Sequence, residues 1–397
     1  MSLEQTWRWF GPRDPIRLSD IRQTGATGIV TALHQIPVGE IWGEDDIRAR
    51  QRMIEAAGLR WSVVESLPVH ENIKKRQGNF RQLIDHYRIS LANLGACGID
   101  TVCYNFMPVL DWSRTNLGLR AADGSLASGF DPVAMAVFDL FLLKRPHAEG
   151  DYSPEQIAAA RAWLDASSQT ERDHLVEAIL MGLPGSGEAF TTEVLLTELS
   201  QYREIGAETL RENLFAFIAE VLPAAMEAGI NLAIHPDDPP MPLLGLPRIV
   251  STKSDLSRFL EANPETANGL TYCTGSLGAG RYNDVVDMAG SFADRIHFIH
   301  LRNVRRDGRG GFTEVNHLEG DGDLYRVMSI LVEEQERRIA AGRPDRRMPM
   351  RPDHGPLMQV DNERGHFYPG YSLLGRMKAL AELRGLEVAI RRAGNRG

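Results

Sequence analysis

Four side chains of metal-ligating type fall at the ends of four successive apolar runs late in the chain. The run NLAIHPDD ends at His235, GLTYCTGS at Cys273, RIHFIHLRN at His300, and MPMRPDHG at Asp353, which His354 follows. Two imidazoles, a thiolate and a carboxylate are a donor set for a divalent cation. If the runs are β-strands, alternate side chains share a face. His235 then goes with Ala233 and Asn231, Cys273 with Thr271, and His300 with Phe298 and Arg302. His297, Ile299 and Leu301 take the other face, which suits packing against helices, so His297 reads as a core histidine. A single strand-end histidine is most simply structural. Four donors at four successive strand ends point to one place, because a parallel barrel gathers the C-terminal ends of its strands at a common mouth.

The elements that must position these donors are short β-type runs, mostly separated by amphipathic helical stretches, the pattern of parallel βαβ units. Eight candidates are Thr6–Phe10, Gly28–Leu33, Trp61–Ser66, Thr101–Phe106, Asn231–Pro236, Leu270–Thr274, Ile296–Arg302 and Met348–Asp353. Eight such units predict a closed (β/α)8 TIM barrel, in one domain over 1–397. The weak member is the first run, TWRWF; without it, a doubly wound open sheet is the alternative. Between the fourth and fifth strands, residues 107–206 are too long for a crossover and read as a helical insertion within the barrel. There, Ser153-Pro154-Glu155-Gln156 has the form of a capping box with proline in the first turn, and Glu188–Ile205 reads as a further helix. A loop of this length can cover the site or build a contact between copies, and structural packing is the simpler role.

The net charge is -9, which argues against a nucleic-acid partner, since that function selects a basic face. No run is apolar and long enough for a membrane span. Three cysteines do not make a disulfide framework, and the amino-terminal residues lack a signal-peptide pattern, so a cytoplasmic enzyme acting on a small molecule is expected.

The motifs HPDDPP, CTGS, HLRN, HLEGDGDLY (His317 to Tyr325), RPDHG and YPGYSLLG (Tyr368 to Gly375) resemble the motif series of the mannonate dehydratase family, as do TWRWFG and VVESLPVHE (Val63 to Glu71). The resemblance runs over essentially the whole chain. It implies a barrel like that of xylose isomerase, a homo-oligomer, and conversion of D-mannonate to 2-keto-3-deoxy-D-gluconate in hexuronate breakdown with Mn2+ or Fe2+. Matched residue by residue, it makes His235, Cys273, His300 and Asp353 the metal ligands, and His354 and Tyr368 the acid/base pair. Two histidines with a thiolate would by themselves suggest zinc or iron. Room for two substrate oxygens beside four protein donors instead suggests near-octahedral coordination.

Further candidates for substrate contact are Arg302, on the face of His300, His317 in the loop beyond, and Arg8, Glu65 and Asn105 near the ends of earlier strands. Each can equally be a packing or ion-pair residue of the barrel mouth. CTGSLGAG lacks the spacing and context of a dinucleotide loop and reads as a tight loop. Asp237-Asp238 reads as part of a rigid loop orienting His235. A sugar isomerase or epimerase on the same barrel is the competing enzyme, although such sites favour carboxylates over cysteine. A sugar-acid binding protein is the non-catalytic alternative.

Overall fold

The computed structural model describes residues 2–182 and 191–394. All eight predicted strands are present: β1 (Glu4–Arg8), β2 (Gly28–Thr31), β3 (Arg60–Glu65), β4 (Thr101–Tyr104), β5 (Asn231–Ile234), β6 (Asn268–Cys273), β7 (Ile296–Leu301) and β8 (Pro349–Pro352). They close into a parallel barrel, and β1 completes it by pairing with both β2 and β8. The open-sheet alternative is thereby excluded. Among the described residues no helix is long and apolar enough to cross a membrane.

The alternation anticipated from sequence holds inside the barrel. Val30, Val63, Cys103, Ala233 and Phe298 form a buried cluster. Ala233 and Phe298 lie two residues before His235 and His300, so the same faces that fill the barrel below carry the histidines above. His297 points outward, where Nε2 lies 2.7 Å from the Thr266 carbonyl, and burial pushes its pKa down to about 4.

Segment 107–206 is not simply helical. It holds helices Pro132–Val137, Pro154–Ala166, Gln169–Leu180 and Thr192–Ser200, and also a β-hairpin, Asn116–Arg120 with Leu126–Phe130. The hairpin forms because Asp123-Gly124 supplies a turn in which Gly124 takes φ +84°, a conformation glycine reaches without strain. Ser153 and Gln156 form the expected reciprocal cap. Of the helix expected over Glu188–Ile205, residues 188–190 lie outside the described residues, and the observed helix is shorter. The hairpin pairs with two strands from the loop after β7, Asn303–Arg306 and Phe312–Val315, giving a four-stranded antiparallel cap sheet. Gly129 permits this join, since a Cβ there would lie 2.9 Å from the Phe312 carbonyl oxygen.

Candidate metal centre and active site

Strand register sets the donor positions. Cys273 pairs with His300 across β6 and β7, and Arg351 pairs with His300 across β7 and β8. The ligating atoms of His235, Cys273 and His300 lie within 4.8 Å of one another. His235 Nδ1 lies 2.7 Å from the Pro236 carbonyl; that carbonyl can only accept, so Nδ1 carries the proton and Nε2 keeps its lone pair. His300 Nδ1 is buried and has no hydrogen-bond partner. A buried polar atom without a partner is unfavourable, while the other ring nitrogen, Nε2, accepts from Arg351 Nε at 3.1 Å. Phe298 buttresses the ring edge-on at 4.4 Å. Cys273 Sγ also accepts from Ser276 Oγ at 3.2 Å.

Asp353 adjoins this trio, with Oδ2 3.5 Å from Cys273 Sγ and Oδ1 3.6 Å from His300 Nδ1. Its carboxylate also accepts from Arg302 Nη1 at 2.7 Å and pairs ionically with Arg351 Nη1 at 2.8 Å, which donates to the Asp353 carbonyl. Burial pushes its pKa up, but the charges of His354, Arg351 and Arg302 more than offset this and hold it well below the usual carboxylate range. The set of two nitrogens, one sulfur and an ionised carboxylate can hold a divalent cation.

A cleft of about 1390 Å3 reaches Arg302 and His354, which adjoin Asp353; His235, Cys273, His300 and Asp353 are not among its lining residues. His354, Tyr368, Arg302 and Glu314 are among its lining residues, together with both strands of the hairpin. His354 is buried and its Nδ1 lies 2.8 and 2.9 Å from the two carboxylate oxygens of Glu314. Tyr368 is half-buried in the cleft wall, edge-on to Phe10 at 4.8 Å. Tyr371 lies deeper, 5 % exposed, with its ring 5.0 Å from that of His354. Burial pushes its phenol up to about 12, against the pull of Arg351.

The second group of expected residues divides. Arg302 is at the site and is paired with protein carboxylates, Asp353, Asp238 at 2.8 Å and Glu314 at 3.8 Å, while its Nε is buried without a hydrogen-bond partner. Glu65 is at the inner rim, gripped by Arg351 through Nη2 at 2.9 Å and Nε at 3.2 Å, and Arg8 lies 3.5 Å from it. His317 is anchored through Nε2 on the Leu301 carbonyl at 2.9 Å, and burial pushes its pKa down to about 4. Asn105 binds Asp111 at 3.2 Å and the Met107 amide at 3.3 Å, which shapes its own loop. Two loop expectations need correction. CTGSLGAG is a short helix, Thr274–Ala279, because Cys273 Sγ caps it by accepting from the Ser276 amide. Asp238 orients arginines rather than His235, pairing with Arg114 at 2.7 Å as well as with Arg302.

Arg351, Glu314, Arg114 and Tyr371 were not anticipated. For Arg351 the signal was available, since it shares its strand face with Asp353. Tyr371 lies within the YPGYSLLG motif.

The D-mannonate dehydratase (UxuA) family model matches residues 3–396. A mannonate dehydratase of Chromohalobacter salexigens is 54% identical over 390 residues, covering 98% of this chain and 99% of that protein. The crystal structure of mannonate dehydratase from Streptococcus suis serotype 2 superposes with a TM-score of 0.78 at 34% identity, covering 99% of this chain and 95% of that one. A xylose isomerase domain protein from Planctomyces limnophilus shares the fold alone, with a TM-score of 0.50 at 9% identity over 99% of each chain. With its donors gathered at the mouth of such a barrel, the chain belongs to the D-mannonate dehydratase family.

Proposed function

We propose that the protein is a hydro-lyase that converts D-mannonate to 2-keto-3-deoxy-D-gluconate and water, with His235, Cys273, His300 and Asp353 holding one divalent ion, Mn2+ or Fe2+. The observation that carries the reading is the convergence of three ligating atoms from three successive strands. When bound, the ion supplies Lewis-acid stabilisation of the charge that builds up as a proton leaves the carbon beside a carboxylate.

The chain's own residues supply the proton transfers. The C2–H bond breaks and its proton passes to a base. The C3–O bond breaks as an acid protonates the departing hydroxyl, which leaves as water. The resulting enol becomes the 2-keto acid by moving its hydroxyl proton to C3. His354 and Tyr368 both line the cleft where these transfers would occur. A second reading gives the phenol's part to Tyr371, and its favouring observation is the buried ring contact with His354. We take the whole chain as one barrel domain, acting as a cytoplasmic homo-oligomer.

The test is incubation with D-mannonate and, separately, with an aldose. A keto-deoxy acid formed from mannonate with loss of water supports the proposal. Ketose formed from the aldose, with mannonate left unchanged, would move the protein to the isomerase class, and binding of mannonate without turnover would make it a binding protein.

A further inference from the structure

We propose that Glu314 is the positioning residue for His354. It fixes the imidazole with its proton on Nδ1, so that Nε2 presents a lone pair to the cleft and His354 is the base that takes the C2 proton. The inference rests on the reading of His354 as a proton-transfer group and assigns which partner does what.

The shortest contacts set the ring's orientation, with Arg302 Nη1 farther from Nδ1, at 3.4 Å, than either Glu314 oxygen. Both Glu314 oxygens lie against Nδ1, at 2.8 and 2.9 Å. An ionised carboxylate only accepts, so Nδ1 must donate, and a neutral imidazole then carries its lone pair on Nε2. Among the described residues Nε2 makes no hydrogen bond, and the side chain lines the cleft. The ring cannot turn over easily: Tyr371 packs on it at 5.0 Å, Trp112 at 6.1 Å, and a Cβ on Gly370 would lie 2.9 Å from its Cγ.

Glu314 is itself held. Arg114 Nη2 donates to Oε1 at 2.8 Å, while Arg114 Nη1 donates to Asp238 at 2.7 Å and to the Ser113 carbonyl at 2.9 Å. Glu314 sits on the cap-sheet strand Phe312–Val315, paired with Val304 on one side, and the same strand is paired with the hairpin strand Leu126–Phe130 on the other. Arg114 enters from the segment just before the hairpin. The insertion between β4 and β5 thus gains a chemical role, because it braces the carboxylate that aims the base.

Steady-state kinetics on D-mannonate with the metal-loaded enzyme, together with 15N spectra of histidine-labelled protein at pH 8.5, test the proposal. Glu314→Ala is expected to lower kcat by about 10²-fold or more, within the range a general base contributes, with KM and bound metal essentially unchanged. Glu314→Gln keeps an acceptor of the same shape and is expected to recover at least about tenfold of that loss. The imidazole signal that disappears in His354→Gln should show a protonated Nδ1 and an unprotonated Nε2. Activity of Glu314→Ala close to wild type overturns the proposal, as do equal losses in the two Glu314 variants accompanied by loss of metal, or a His354 proton on Nε2 or on both nitrogens. If His354→Gln itself turns over normally, the underlying reading of His354 fails. If His354→Gln is dead and Glu314→Ala is active, only the positioning role fails.

Discussion

His300 stands opposite Cys273 in the register of two neighbouring parallel strands, and its Nδ1 is buried without a hydrogen-bond partner. Donor spacing at this site is therefore set by the ladder of the barrel rather than by flexible loops. Phe298 and the inward cluster below fix the height at which both side chains emerge. A donor set built on strands holds its geometry before any ligand arrives, which lowers the reorganisation needed on binding.

Cys273→Ser is expected to lose metal and activity together. A serine hydroxyl is a poorer anionic donor than a thiolate, and its loss of metal affinity should exceed the roughly 10–100-fold typical of removing an outer partner. Metal content measured after gel filtration, beside a circular dichroism spectrum that stays native, checks this. Full retention of metal in the variant would remove Cys273 from the donor set.

The two phenols of the YPGY turn are separable. Tyr368→Phe is expected to keep its metal and lose about 10²- to 10⁴-fold in kcat, the range of a general acid. Tyr371→Phe serves as the comparison. If the larger loss falls on Tyr371→Phe, the proton donor is the buried phenol that packs on His354. Near-normal turnover in both excludes a phenol from the chemistry.

Arg114 is fully buried and bridges Asp238 and Glu314. Arg114→Ala leaves two buried carboxylates short of a partner, and breaking such a pair typically costs about 3–5 kcal/mol. Urea unfolding at neutral pH should show the midpoint falling accordingly. An unchanged midpoint would mean that solvent or a neighbouring arginine replaces the guanidinium.

Acid should weaken the cap sheet in a defined window. Burial pushes the Glu314 pKa up, but His354, Arg302 and Arg114 outweigh it and bring it from an ordinary 4.5 to about 2. A carboxyl depressed in the folded state stabilises fully above its unfolded pKa, and that stabilisation disappears as pH falls through the folded value. The contribution of Glu314 should accordingly be lost between pH 4.5 and about 2. Urea midpoints measured across that range should flatten in Glu314→Gln relative to wild type; identical slopes would contradict the assignment.

Much of this was legible in the sequence because it depends on short periods. Two-residue alternation sorted His300 from His297, and all eight strands were visible as apolar runs. What escaped was carried by pairing between distant segments. Glu314 meets Arg114 across 200 positions and His354 across 40, and no local pattern links them. The hairpin was hidden within a largely helical segment, although Asp123-Gly124 was its local signature. Arg302 lay on the expected face, but its role changed because Asp238 and Asp353, which sequence could not place beside it, already satisfy its charge.

The most direct test of the central claim is anomalous diffraction from crystals of the Mn2+- or Fe2+-loaded protein, recorded on both sides of the metal's absorption edge. The account predicts one peak in the barrel mouth, about 2.0–2.4 Å from His235, Cys273, His300 and Asp353 donor atoms. A peak elsewhere, or a fully active enzyme whose crystals show none at that position, would contradict it.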